Sequence, residues 1–149
     1  MPKAALTAAC AIWATAVTVT VAVAAAQADG LSLDGGVYSV DQGKRGKAHY
    51  DAFCAPCHVG DLSGTLAADT GAPPLRGAPF MTSMEQQGVV AVFDYIKATM
   101  PADDPASLED AEYVDIFAYL IQANGFPAGA RELTAADLPR VRVRRAAAH

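Results

Sequence analysis

The chain has 149 residues, 52% of them hydrophobic, with 11 basic and 16 acidic side chains and a formal net charge of −5. Its length favours one domain, and its acidic balance excludes a nucleic-acid partner, because binding a phosphate backbone needs clustered Lys and Arg. The charge is uneven: Val37–Gly125 holds five bases and twelve acids, a net −7, whereas Arg131–His149 holds five bases and two acids, a net +3.

Residues 1–28, MPKAALTAACAIWATAVTVTVAVAAAQA, combine one early base, a long apolar run and an Ala-Gln-Ala site. This pattern predicts a secretory signal peptide cleaved after Ala28, leaving 121 residues and a periplasmic protein. The competing reading is an uncleaved anchor, since the 23 residues Ala4–Ala26 carry no charge and suffice to span a bilayer. Only in that case does the protein meet a membrane. Cys10 reads as a small apolar residue of this segment, so Cys54 and Cys57 are left to act as a pair in an oxidising compartment.

Residues 29–36 are Gly-rich and read as a flexible leader. A helix is expected over Val40–Phe53, although each glycine inside it costs about 1 kcal/mol relative to Ala. Gly43, Gly46, Tyr50 and Phe53 are spaced 3, 4 and 3 apart and share one face. Small residues beside an aromatic predict a second helix crossing there at close range. The alternative for Gly43 is that it only frays the helix start.

From Val59 to Gly77 the chain is turn-rich and ends in GAPPLRG. A long irregular connection in a compact domain is expected to wrap something. A second helix is expected over Met84–Thr99, with Val89, Val92, Phe93 and Ile96 as its apolar stripe; Pro101 disfavours helical geometry at Met100 and ends it. A third runs from an N-cap at Ser107, with Glu109 and Asp110 in its first turn, to a stop at Asn124-Gly125. No segment alternates as a strand would. The fold class is therefore all-α, with residues 37–129 as the domain and a core marginal in size unless another group fills it. Residues 130–149 read as a solvated basic tail; docking onto an acidic surface or lipid headgroups is the other reading.

Three chemistries use the pattern Cys54-Ala55-Pro56-Cys57-His58. A structural zinc site needs four N or S ligands, usually in two pairs, and beyond this stretch only His49 and His149 remain. A redox dithiol of the thioredoxin type expects a βαβ context, which is absent from the pattern. Covalent attachment of one haem c fits: the two thiols add across its vinyl groups, and the next histidine lies under the iron. The haem would also fill the small core and give the 59–77 loop something to wrap.

His58 leaves one axial position. His49 lies on the helix before the motif and His149 at the chain end, and both read as exposed residues. Met100 is the candidate, since it ends an apolar helix and is set in an extended turn by Pro101. Met/His ligation would raise the reduction potential. Met81 and Met84 read as adaptable core filler. The ligating histidine needs an acceptor at Nδ1, and the backbone carbonyl of Pro73 or Pro74 is expected to supply it. Leu75 and Arg76 complete the expected haem surroundings, with Arg76 either pairing a propionate or solvated.

The chain at this point resembles the class I c-type cytochromes over roughly residues 37–129. The similar pieces are GKAHY before FCAPCH, APPLRG, FDYIKATMP and LEDAEYVDIFAYLIQANGFPAG. The last two resemble small cytochromes and cytochrome domains that serve periplasmic dehydrogenases, including quinoprotein alcohol dehydrogenases. The resemblance implies three to four helices around one covalently bound haem, with thioethers at Cys54 and Cys57 and iron ligands at His58 and Met100. It also implies packing of the first helix on the last through Gly46 and Tyr50. No second domain is read here, which would make any catalytic partner a separate protein.

The expected function is transport of single electrons, without catalysis, between a dehydrogenase or other oxidoreductase and a respiratory acceptor. Partners would be a periplasmic dehydrogenase, a terminal oxidase or another cytochrome. The alternatives are a tightly bound haem subunit of a larger dehydrogenase or oxidase complex, and a haem enzyme or gas sensor with an open sixth site.

Overall fold

The computed structural model describes residues 30–65 and 71–143. The expected signal segment with Cys10, and the end of the chain with His149, lie outside them. Among the described residues five helices carry the fold: α1 (Val40–Phe53), α2 (Ala55–His58), α3 (Ala78–Gln87), α4 (Val89–Thr99) and α5 (Asp110–Ala123). The architecture is all-α, with one pair of two-residue strands, β1 (Leu31–Ser32) and β2 (Val141–Arg142), lying parallel in the register Leu31 to Val141.

The first helix has the expected bounds. Ser39 caps it, its Oγ accepting from the Gln42 amide at 3.1 Å, so Gly43 sits inside the helix rather than fraying its start. The helix crosses α5 at Gly46. A Cβ there would run into the backbone carbonyl of Asp115 and come within 3.0 Å of the Tyr119 Cβ. One turn on, the Tyr50 and Tyr119 rings pack at 5.3 Å and 56°. Phe53 departs from expectation: it is 41% exposed and lies against His49, with ring centroids 6.4 Å apart. Phe53 stands about 10 Å along the axis from the crossing at Gly46, beyond the reach of α5.

The helix expected over 84–99 is two. Gly88 adopts φ 90°, closing α3 and opening α4, and an α-helix needs φ near −63°. Met84, Val89, Val92 and Phe93 are all buried, so the apolar spacing runs through the break unmarked. At the far end Met100 is extended, with φ −122° and ψ 147°, as Pro101 requires. The last helix starts at Asp110 rather than after Ser107, because Glu109 and Glu112 form a reciprocal capping box, with the Glu109 amide donating to Glu112 Oε2 at 2.9 Å.

Both flanks of the domain differ from the sequence reading. Residues 30–36, expected as a flexible leader, include strand β1 and Leu33, which is fully buried. The basic tail is a packed strap as far as residue 143: Leu133, Leu138 and Val141 enter the core while Arg140 and Arg142 stay exposed. The buried Gln42 amide clamps this strap, donating to the Leu133 carbonyl at 2.9 Å and accepting from its amide at 2.8 Å. Three apolar residues dispersed among arginines show no period, which is why the segment read as solvated.

Candidate functional site

The end of α1 delivers Cys54, and α2 winds the next four residues into one turn. The amides of Cys57 and His58 both donate to the Cys54 carbonyl, at 3.2 and 2.8 Å. Pro56 falls in the first turn of α2, where an N–H has no helical partner to lose. Cys54 and Cys57, three apart on that turn, are thereby brought to one side. Both are free thiols, Cys54 half-buried and Cys57 exposed. Burial, and secondarily the neighbouring Cys57, push the Cys54 thiol up to about 11, so in this arrangement it is a neutral thiol at physiological pH.

His58 is 6% exposed, and its Nδ1 lies 2.8 Å from the Pro73 carbonyl. That acceptor, rather than Pro74, makes Nδ1 the protonated nitrogen and leaves Nε2 with a free lone pair. The loop is pinned to bring the carbonyl there. Gly64 amide donates to the His58 carbonyl at 3.0 Å, Thr65 amide to Ala72 at 2.8 Å, and Leu75 amide to Leu62 at 2.9 Å. Gly64 adopts φ 72°, and a Cβ on it would meet Ala72 and Pro73 backbone at 2.6 Å, so only glycine lets the two strands of the loop close on the histidine. Asn124, expected only as a helix stop, donates to the Leu75 carbonyl at 3.0 Å and accepts from the Gly77 amide at 2.9 Å. Pro74 and Leu75 are half-buried, Pro73 and Arg76 exposed.

Directly after His58 the backbone is strained. Val59 adopts φ 64° and ψ 147°, a region a β-branched residue avoids. Its carbonyl accepts from the Tyr50 hydroxyl at 2.7 Å. The buried aromatic at the α1–α5 crossing thus also ends α2 at the histidine.

Met100 is half-buried. Its amide donates to the Ile96 carbonyl at 2.9 Å, and its carbonyl accepts from the Tyr113 hydroxyl at 2.6 Å. The competing methionines, Met81 and Met84, are 4% and 1% exposed within the hydrophobic core, as filler would be. His49 is half-buried rather than exposed, with its Nδ1 3.5 Å from Glu112 Oε1 of α5.

These residues fit a covalently attached haem. Two unpaired thiols stand one turn apart, and a buried imidazole has one nitrogen engaged by backbone and the other available. The contacts that complete the site, from Gly64, Asn124 and Tyr113, are made by residues that read in sequence as turn, cap and core.

An all-α domain built around such a Cys-x-x-Cys-His turn defines a c-type cytochrome. Residues 41–120 match the family model described as cytochrome c oxidase, cbb3-type, subunit III, and the chain belongs to that family of haem electron-transfer domains. It is also similar to a thiosulfate dehydrogenase of Allochromatium vinosum, with 37% identity over 82 residues, 53% of this chain and 30% of that protein. The chain therefore matches under a third of that relative's length. Both matches agree with the c-type cytochromes that the motifs resemble.

Proposed function

We propose that the protein is an exported monohaem cytochrome that carries single electrons between a periplasmic dehydrogenase and a respiratory acceptor. Cys54 and Cys57 would tether the haem through thioethers, and His58 Nε2 and the Met100 sulfur would ligate its iron. The observation that carries this reading is the Pro73 carbonyl at 2.8 Å from His58 Nδ1. It keeps the proton on Nδ1, orients the ring and leaves Nε2 free to ligate a metal.

Bound haem supplies a one-electron couple whose potential is raised by Met/His ligation. The chain's residues do the rest. Tyr50 and the Gly64 turn hold the histidine segment, and His58 itself is buried. A dehydrogenase as electron donor is favoured by the relative named above, and the signal-like residues 1–28 favour the periplasm. Because the matched part is a fraction of that longer protein, residence as a bound subunit of such a dehydrogenase is the second reading. Gel filtration of the native protein separates the two, a free monomer supporting the shuttle.

The test is a visible spectrum and potential for native holoprotein beside Met100→Ala. The expected outcome is loss of the thioether-to-iron absorption and a fall in potential. An unchanged spectrum removes Met100 from the site. Rapid carbon monoxide binding by the reduced native protein would instead favour an open sixth position and overturn the carrier reading.

A further inference from the structure

We propose that Tyr113 is a positioning residue for Met100, anchoring the methionine backbone so that its thioether stays in place against displacement. The inference rests on the reading of Met100 as an iron ligand.

Tyr113 lies in the first turn of α5 and is 1% exposed. Its hydroxyl donates to the Met100 carbonyl at 2.6 Å, a short and strong contact for an O–H donor. The residue after Met100 is proline and has no amide hydrogen. On the other side, the Met100 amide is held by the Ile96 carbonyl at 2.9 Å. The peptide units flanking Met100 are thus each fixed by one hydrogen bond, the first from α4 and the second from α5. The Leu108 amide lies 3.5 Å from the same tyrosine oxygen, which places the hydroxyl between the two ends of the 100–109 loop.

This anchoring matters for methionine in particular. A thioether is a neutral, weak donor on a side chain with three rotatable bonds. Its hold on a metal therefore depends on its effective concentration there, which falls as its tether loosens. Packing alone would be satisfied by phenylalanine at 113. The hydroxyl's one donated bond goes to the Met100 carbonyl, and its oxygen accepts the longer contact from the Leu108 amide.

The experiment uses oxidised holoprotein and imidazole as the competing ligand, titrated against wild type, Tyr113→Phe, Asp110→Asn and Met100→Ala. Tyr113→Phe deletes one oxygen and keeps the ring. It is expected to bind imidazole about three- to tenfold more tightly than wild type, the scale of one net hydrogen bond, and to show a lower potential. Asp110→Asn cuts the Lys97–Asp110 ion pair, 2.6 Å long, which joins the same two helices without touching Met100. Its imidazole affinity is expected to match wild type. Equal affinity in Tyr113→Phe and wild type overturns the proposal, as does an equal rise in Asp110→Asn, which would mean general loosening. If Met100→Ala matches wild type in spectrum and imidazole affinity, the ligand reading itself fails. That result is distinct from a Met100→Ala that changes while Tyr113→Phe does not.

Discussion

At the scale of single residues, burial and hydrogen bonding decide what each polar group does. His58 is buried with one nitrogen committed to Pro73, whereas His49, on the preceding helix, faces Glu112 and has no such carbonyl. Asp137 shows the same economy in the strap. It is 4% exposed and accepts from the Thr134 hydroxyl at 2.7 Å and amide at 3.1 Å, with Arg140 and Arg131 as ion partners. The Thr134 hydroxyl contributes most to holding its carboxyl down to about 2, against burial, with Arg140 next. A carboxyl depressed in the folded state stabilises fully above its unfolded value, and that contribution is lost as pH falls through its folded one. Asp137→Asn is therefore expected to cost about 1–2 kcal/mol near neutral pH. Urea unfolding at a series of pH values should show its deficit against wild type closing between about pH 4 and 2.

At the scale of elements, the α1–α5 crossing rests on a missing side chain. Gly46 and Gly43 share a face, and spacing gives them equal weight. The structure separates them: a Cβ at 46 meets rigid backbone at Asp115, while one at 43 meets the end of the Gln122 side chain at 2.9 Å. Gly46→Ala should push the helices apart and cost about 3 kcal/mol or more. Gly43→Ala lets Gln122 swing aside and should gain about 0.5 kcal/mol from helix propensity. Thermal unfolding of the two holoprotein variants measures the contrast, and equal effects would contradict the geometry. Both bounds of α1 were readable, because propensity and capping are local properties. The Gly88 break was not, since apolar spacing passes through it and only the positive φ marks it.

At the scale of the molecule, the domain is closed by its own flanks. β1 and β2 join residues some 110 apart in the chain, and Gln42 ties the strap to α1. The acidic body, net −7 over Val37–Gly125, is left facing solvent with Asp94, Asp103, Asp104 and Glu109 exposed. A redox partner is therefore expected to present a basic face. Its association rate with the holoprotein should fall as ionic strength rises from about 0.01 to 0.15 M, over which the screening length shrinks from about 30 to 8 Å. Stopped-flow electron transfer across that range checks this, and a flat rate would argue against an electrostatic encounter.

What the amino-acid sequence determined by itself is the chemistry and the long helices. Cys54, Cys57 and His58 are neighbours in the chain, so their juxtaposition is a local fact, and the extended Met100 follows from the proline beside it. Tertiary structure alone decided which carbonyl meets His58, what holds the Met100 backbone, and that the two flanks pack rather than hang free. Each of these is a pairing across the fold, 58 with 73, 100 with 113, and 31 with 141. A backbone carbonyl or a dispersed leucine carries no pattern that names its partner. The bonds within the 59–77 loop, the packing of α4 on α5 and the strap held by Gln42 bring those partners together.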